Sequence, residues 1–420
     1  MTKISEFDLQ LWVKPQQLKK LERQLEDFIG KLTADLGRSE KRAALRLYVT
    51  GLLLDGERKS ILPIAARLVD SDGEIEGMRQ RLQQAVVVSD WDDDVMRSRL
   101  AQIVERDMPG IGAFVFDDTG FPKKGRHSVG VARQYSGTLG RTDSCQVATS
   151  LHLAGEKGSA CIGMQMYLPD EWSSDAERMH AAGVPETIEF RRKWEIAVDL
   201  LDRALSWGVR KHIALADSGY GDCVEFRDAL RDRGLHYLVG VAGAHSVWPP
   251  GAQPKRVKGV TGRLLKRFVD PKHQPMPISE LAQTLPKSSY RRISARPSSR
   301  FAFIRVRPAE LHRLGRPPDD EHWLICEWLD DELKPAKFMI SSLPHGTSRK
   351  ELIRLLKLRW RVERDYQELK GEIGLDHFEG RTWRGFHHHA TLCSAAHAFL
   401  ALRRALSPPE LHELDAALGA

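Results

Sequence analysis

Residues 113–125 read AFVFDDTGFPKKG and residues 213–221 read IALADSGYG. Each is a short apolar run that ends in a carboxylate and then in small, turn-forming residues, as when a buried strand delivers an acid to its end. Near the first, residues 128–132, 146–153 and 162–167 read as further strands between Gly-rich turns. Between the two lies an amphipathic helix over about 186–207, with Phe190, Trp194, Val198, Leu201 and Leu205 on one face. A helix over 223–232 and a strand over 237–241 follow the second acid. Strands come first as a group, and then helix and strand alternate. That order predicts an α/β fold, a mixed sheet flanked by helices.

Upstream, residues 1–108 read as helical: Leu18, Leu21, Leu25, Phe28 and Ile29 recur at helical steps, as do Ala44, Leu45, Tyr48 and Leu52. Two short helices over 60–68 and 76–86 flank a polar turn (Asp70, Ser71, Asp72, Gly73) and are shaped like a helix-turn-helix. Asp92, Asp93 and Asp94 precede another periodic run, where acids favour the first helical turn more than they suggest a metal cluster. Downstream, residues 244–340 turn rich in Pro, Ser and Arg, with strand-like stretches at 267–269, 301–306 and 323–328. A long helix is predicted over 348–374, capped by Ser348 with Glu351 three residues on and stopped by Gly374. The last helix spans about 387–406, before Pro408 and Pro409, and leaves 407–420 as a tail.

The 420 residues are 41% hydrophobic and 29% charged, a globular composition long enough for two or three domains at roughly 150 residues each. No run approaches the roughly 18 apolar residues of a membrane helix, and the N-terminus lacks a signal-peptide profile, so a cytoplasmic location is expected. The five cysteines are widely spaced without a Cys-x-x-Cys, which argues against a disulfide framework or a Cys-based zinc site. Net charge is +7, but residues 255–316 hold 16 Lys and Arg against Asp270, Glu280 and Glu310. That interval alone carries +13 and leaves −6 for the rest. Clustered positive charge is the footprint of a phosphate-backbone binder.

Three acids carry the candidate chemistry: Asp118 and Asp217 at strand ends, and Glu363 within the long helix. Arg359, Glu363, Tyr366, Gln367 and Lys370 share one helical stripe, either a surface ion-pair ladder or an acid flanked by phosphate contacts. Trp360, Val362, Leu369 and Ile373 lie away from it, free to anchor the helix on the sheet. Three converging carboxylates repel unless cations sit between them. Two Mg²⁺ ions about 3.5–4 Å apart suit such hard oxygen donors and serve in-line phosphoryl transfer.

The segments FDDTGFPKKG (116–125), ALADSGYG (214–221) and LKLRWRVERDYQELKGEIGLDHFEGR (356–381) resemble the three motifs of bacterial insertion-sequence DDE transposases. The branch it is most similar to carries Tyr-x2-Arg-x3-Glu-x6-Lys around its third acid; Arg359, Glu363 and Lys370 match, and Leu356 stands where the Tyr would be. The resemblance implies an RNase H-like fold with Asp118, Asp217 and Glu363 as catalytic and metal-binding residues, Asp117 being the alternative first acid. It also implies two Mg²⁺ ions, with Mn²⁺ as a substitute. The implied activity is cleavage of double-stranded DNA at transposon terminal inverted repeats and joining of the freed 3′-OH to target DNA. A homodimer on paired ends, no membrane partner and a nucleoid-associated bacterial location go with it. The alternatives are a metal-dependent nuclease of the same fold without strand transfer, and a non-catalytic DNA-binding relative.

On this reading residues 1–108 form a helical DNA-binding region, and 109–243 and 341–406 the two parts of the core. Residues 244–340 form a basic β-rich insertion between the second and third acids. DNA contacts are expected from Arg359, Lys370 and Tyr366 on the helix, and from Lys123, Lys124 and Arg126 after the first acid. Trp248, beside Pro249-Pro250-Gly251 in an expected loop, is the candidate for stacking an extruded base, as an insertion Trp does in relatives. Trp323 and Trp328, in strand-like runs, are expected in the core. Residues 120–127 approach a P-loop, but Arg126 and His127 replace its Lys and Ser/Thr. Residues 240–243 lack the rest of a dinucleotide fingerprint. His387, His388 and His389 are adjacent and diverge by roughly 100° each on a helix, which is no metal spacing. One of them is expected to face DNA, and the others solvent or core.

Overall fold

The computed structural model describes residues 15–137, 140–259, 261–293 and 296–406; the expected tail over 407–420 and the first 14 residues lie outside them. The chain divides into two compact units. The first comprises Met1–Gly112, Asp117–Arg210 and Trp360–Ala420, and the second Ala113–Phe116 and Lys211–Arg359.

In the first unit the expected N-terminal helices are present as Pro15–Thr33, Ser39–Leu53, Ile61–Arg67, Ile75–Gln83 and Asp93–Asp107. Asp92 caps the last of these, its carboxylate accepting the Asp94 N–H at 2.9 Å, so the aspartate run is helix-start chemistry. Pro15–Thr33, Ser39–Leu53 and Asp93–Asp107 pack against Trp383–Leu406, a helix buried on nearly every side. The three adjacent histidines of that helix are all interior, at 6%, 2% and 0% exposure, which overturns the expectation that one faces DNA. Each is retained because its ring nitrogens find partners. The His387 Nε2 accepts the Met166 N–H at 3.2 Å, and His389 Nδ1 lies 2.8 Å from the Tyr48 hydroxyl. His388, stacked on Trp91, sets its two nitrogens 2.9 Å from the Val86 and Trp91 carbonyls. Burial pushes His387 and His389 down to about 4, so both are neutral near pH 7.

The strand Ile111–Pro122 does not end at its acids as expected; it continues through Asp117-Asp118-Thr119-Gly120. The Lys123 N–H still reaches the Ser144 carbonyl beyond it, at 3.2 Å, so pairing with a neighbouring strand overrides the poor strand propensity of Asp, Gly and Pro. The central antiparallel strand Arg141–Gly155 pairs with Ala132–Ser136 and with Ser159–Tyr167. Residues 128–131, expected in a strand, instead form a turn in which Gly130 takes φ +71° and the Val131 N–H bonds the Ser128 carbonyl. The helix expected from 186 begins only at Lys193, because the Glu195 carboxylate accepts the Arg192 N–H at 2.6 Å and starts it there. Phe190 is left outside it, 43% exposed.

In the second unit Ala113–Phe116 pairs in parallel with Ile213–Ala216, and this with Tyr237–Val241. Lys337–Ser341, His322–Leu329, Arg296–Pro308 and Ser246–Trp248 then continue antiparallel, so most insertion strands extend the sheet that carries Asp217. The expected single helix over 348–374 is two, Arg349–Arg359 and Arg361–Gly371. At Trp360 ψ is −13°, too far from the helical value near −42° to carry the ladder through. Ser348 caps as expected, its hydroxyl accepting the Glu351 N–H at 3.1 Å. No helix among the described residues is long and apolar enough to cross a membrane.

Gly374 ends the acid-bearing segment at φ +79°, and a Cβ there would press on the Lys59 side chain. Gly374→Ala is expected to cost about 1–3 kcal/mol in urea denaturation; an unchanged midpoint would show that the left-handed turn is dispensable.

Candidate active site

Successive residues of a strand point to opposite faces, and here that separates the two adjacent aspartates. The Asp118 carboxylate accepts the Thr149 hydroxyl at 3.1 Å and pairs with the Lys193 ammonium at 2.7 Å, at the start of the Lys193–Ser206 helix. Asp117 takes the Asp118 N–H on one carboxylate oxygen at 2.8 Å. Both aspartates act on the Arg361–Gly371 helix: burial, then Asp117 and in smaller measure Asp118, push the Tyr366 phenol far up, and Asp117 also acts on Lys370.

Glu363 is on the exposed face of that helix, with Gln367 one turn on. The opposite stripe, Val362, Asp365 and Leu369, is buried. Asp365 is the unexpected member: a carboxylate among apolar neighbours must be paired. It accepts the Ser159 hydroxyl at 2.6 Å and lies 2.8 Å from His152 Nδ1. The other ring nitrogen of His152 is 3.1 Å from the Ser150 hydroxyl, which is 2.5 Å from the Tyr366 hydroxyl. Ser150 also reaches the Asp117 carbonyl, at 3.4 Å. One buried polar chain therefore ties the helix of Glu363 to the strand beside Asp117. Glu368 is held similarly, by Arg364 at 2.9 Å, by His397 at 3.1 Å and by Arg404.

Sequence reasoning missed Asp365, His152, Ser150 and Glu368. The available signal was two carboxylates falling on the helix face that carries Val362 and Leu369.

Burial disfavours a charged His152 ring, but Cys161 and the Asp365 carboxylate outweigh it and push His152 up to about 10. Burial would likewise raise Asp365, yet His152 and His397 hold it below the ordinary carboxylate range. The pair is thus an imidazolium–carboxylate pair at neutral pH.

The cationic candidates divide. Lys370 donates to the Gly120 carbonyl at 2.9 Å and Lys123 to the Phe378 carbonyl at 2.5 Å, and burial lowers both ammonium groups. Lys124 and Arg126 are exposed. The Tyr366 hydroxyl points inward to Ser150. Arg359 ends the preceding helix, within the second unit, so the expected stripe joining it to Glu363 is broken at Trp360.

Trp248 requires a correction. It lies in the strand Ser246–Trp248, not in a loop, and is 1% exposed against Ala252, Ala309 and the edge of His312. Sheet pairing with Arg307 has drawn the indole inward, so it presents no face to a base. Of the other two, Trp323 is buried as expected and Trp328 half-exposed.

Asp217 ends Ile213–Ala216 as expected, in the second unit. It caps the turn Ser218–Gly221 by accepting the Gly219 N–H at 2.9 Å. Gly221 packs so closely on the Gly240 carbonyl that no Cβ fits, which seats this turn on the next strand.

Residues 31–300 match the DDE superfamily endonucleases, well over half of the chain. The chain belongs to that superfamily. DDE superfamily endonucleases generally use divalent metal ions. The matched span includes Asp117, Asp118 and Asp217, and Glu363 lies beyond it. This DDE endonuclease is also similar to a probable transposase for insertion sequence element IS701 of Microchaete diplosiphon, with 31% identity over 206 residues. That stretch is 49% of this chain and 50% of the relative, so the chain spans about half the length of the curated relative it matches. Among the described residues, no three His, Cys, Asp or Glu side chains are gathered as a ready metal site.

Asp365→Asn would leave the His152 imidazolium buried without its counter-charge, at a cost of about 3–5 kcal/mol. Because His152 sits above the ordinary ~6.5, this stabilisation is complete below that pH and is lost as pH rises through about 10. Denaturation midpoints of wild type and Asp365→Asn should therefore converge in alkali. A gap independent of pH would refute the charged pair.

Proposed function

We propose that this DDE endonuclease is an insertion-sequence transposase that cleaves transposon-end DNA and joins the freed 3′-OH to target DNA with divalent metal ions. Its acids are one of the adjacent pair Asp117 and Asp118, then Asp217 and Glu363. The observation that carries the reading is the tie between the first-motif strand and the helix of Glu363: Lys370 donates to the Gly120 carbonyl at 2.9 Å, and Ser150 links the Tyr366 hydroxyl to the Asp117 carbonyl. Lys193 pairs with Asp118 at 2.7 Å, so Asp117 is proposed as the first acid, with Asp118 tested beside it. Similarity to the IS701 transposase supports strand transfer over simple nucleolysis.

The donor set fits Mg²⁺, with Mn²⁺ as substitute: these are hard carboxylate oxygens, and the Lys370 ammonium is held on the first-motif strand by the Gly120 carbonyl at 2.9 Å. When bound, such ions activate a nucleophilic oxygen and stabilise the leaving oxygen of an in-line phosphoryl transfer. The chain's own side chains bind and orient. Lys370, held on the Gly120 carbonyl, offers positive charge beside the acids. Lys124 and Arg126, exposed just past the first motif, suit phosphate contacts. The buried Asp365–His152–Ser150–Tyr366 chain keeps the Glu363 helix in register with the strand of Asp117. Residues 1–108 serve as an additional DNA-binding region, and two copies act on paired ends.

The test is metal-dependent cleavage and joining of DNA bearing the inverted repeats that flank the gene. Asp117→Asn, Asp217→Asn and Glu363→Gln are each expected to abolish both steps, with melting temperature retained. Asp118→Asn should keep measurable cleavage. Loss in Asp118→Asn with activity kept in Asp117→Asn would reverse the assignment of the first acid. Cleavage without joining by the wild type would overturn the transposase reading in favour of a nuclease.

A further inference from the structure

The +13 of residues 255–316 is not spread evenly in space. Four of its cations pair with acids outside that interval: Arg292 and Arg300 with Asp330, Arg307 with Glu321, and Arg316 with Asp228. Lys272, Lys287, Arg291 and Arg313 are exposed singly, but the densest group lies on a separate two-stranded antiparallel ribbon, Lys255–Lys258 with Leu264–Val269. Residues 255–269 include Lys255, Arg256, Lys258, Arg263, Lys266 and Arg267 and no acid at all. All six are exposed, and among the described residues none forms an ion pair. The nearest acid, Asp270, is occupied at the foot of the ribbon. Its carboxylate accepts the Gln253 N–H at 2.6 Å and the Lys272 N–H at 2.8 Å, stitching the incoming and outgoing chain together.

Register pairs Arg256 with Phe268 and Lys258 with Leu264, so Arg256, Lys258 and Lys266 share one face, and Lys255 and Arg267 the other. No side chain of the paired strands is fully buried, and Leu264 is 57% exposed at the tip. The ribbon leans on the His312–Leu314 turn, where the Arg256 guanidinium reaches the Gly315 carbonyl at 3.5 Å, and its dense positive charge repels itself. Such exposed, acid-free charge makes physical sense when a polyanion lies against it.

We propose that this ribbon is a duplex-DNA finger: it enters the major groove, sets its two cationic faces against the phosphates on either side and its Leu264 tip toward the base edges. The B-DNA major groove, about 12 Å wide, admits a two-stranded β-ribbon. The inference rests on the DNA-processing reading and adds a grip distant in sequence from the acids.

The experiment is binding of the full chain to a labelled DNA duplex of unrelated sequence across a salt series, read by fluorescence anisotropy. The combined variant K258Q/R263Q/K266Q/R267Q is expected to bind about tenfold or more weakly, with a salt slope shallower by about one per lost contact. Its thermal melt should match wild type, and K258R/K266R should keep the wild-type slope. If wild type binds and the glutamine variant shows the same slope, the finger assignment falls while the functional reading stands. If wild type binds no duplex at all, the functional reading falls and this inference with it. Retained DNA slope with lost binding to anionic lipid vesicles would assign the ribbon to a membrane surface instead and overturn the proposal.

Discussion

The Asp365 carboxylate and the His152 imidazolium meet where neither is solvated, and the arrangement of the first unit around its acids depends on that contact. Each ion is tolerable there only because of the other. Moving the Arg361–Gly371 helix along the Arg141–Gly155 strand would strand two charges, so the helix has one permitted register. Ser159 on one side and Ser150 with Tyr366 on the other complete the hydrogen bonding. The exposed face of the same helix is thereby aimed, and Glu363 with it. A candidate catalytic acid is positioned by a buried ion pair two residues away.

The adjacent aspartates show the same logic at strand scale. One residue of offset in a strand is a change of face, so Asp117 and Asp118 meet different neighbours. Asp118 is engaged by Lys193 and Thr149, while Asp117 accepts the Asp118 N–H, and both charges act on Tyr366 of the Glu363 helix. Family analogy mapped the first acid by its place before Thr119. The pleat supplies a separate criterion, the face on which each carboxylate lies.

Charge was legible as an amount and not as a surface. The excess over residues 255–316 is real, but Asp228, Glu321 and Asp330, all outside that interval, absorb part of it. What remains exposed and unpaired is concentrated on a ribbon of two short strands. Trp248 shows the converse error. Its neighbours Pro249, Pro250 and Gly251 are loop-formers, yet sheet pairing with Arg307 draws the indole inside. The three histidines of the last helix likewise gave a polar signal and turned out to be core, because each ring nitrogen found a buried partner.

Local pattern alone was enough for the N-terminal helices, the Asp92 cap, the strand delivering Asp217, the Ser348 cap and the α/β class. Those features follow from periodicity and from short-range hydrogen bonds, which a linear string records. Other features needed the folded chain. Among them are the passage of the first strand through its acids, the break at Trp360, the face on which each aspartate lies and the pairing of Asp365 with His152. These depend on partners up to 213 residues apart in the chain. Whether a strand continues, or a carboxylate stays charged inside, is decided by what lies across from it, and only tertiary structure specifies that.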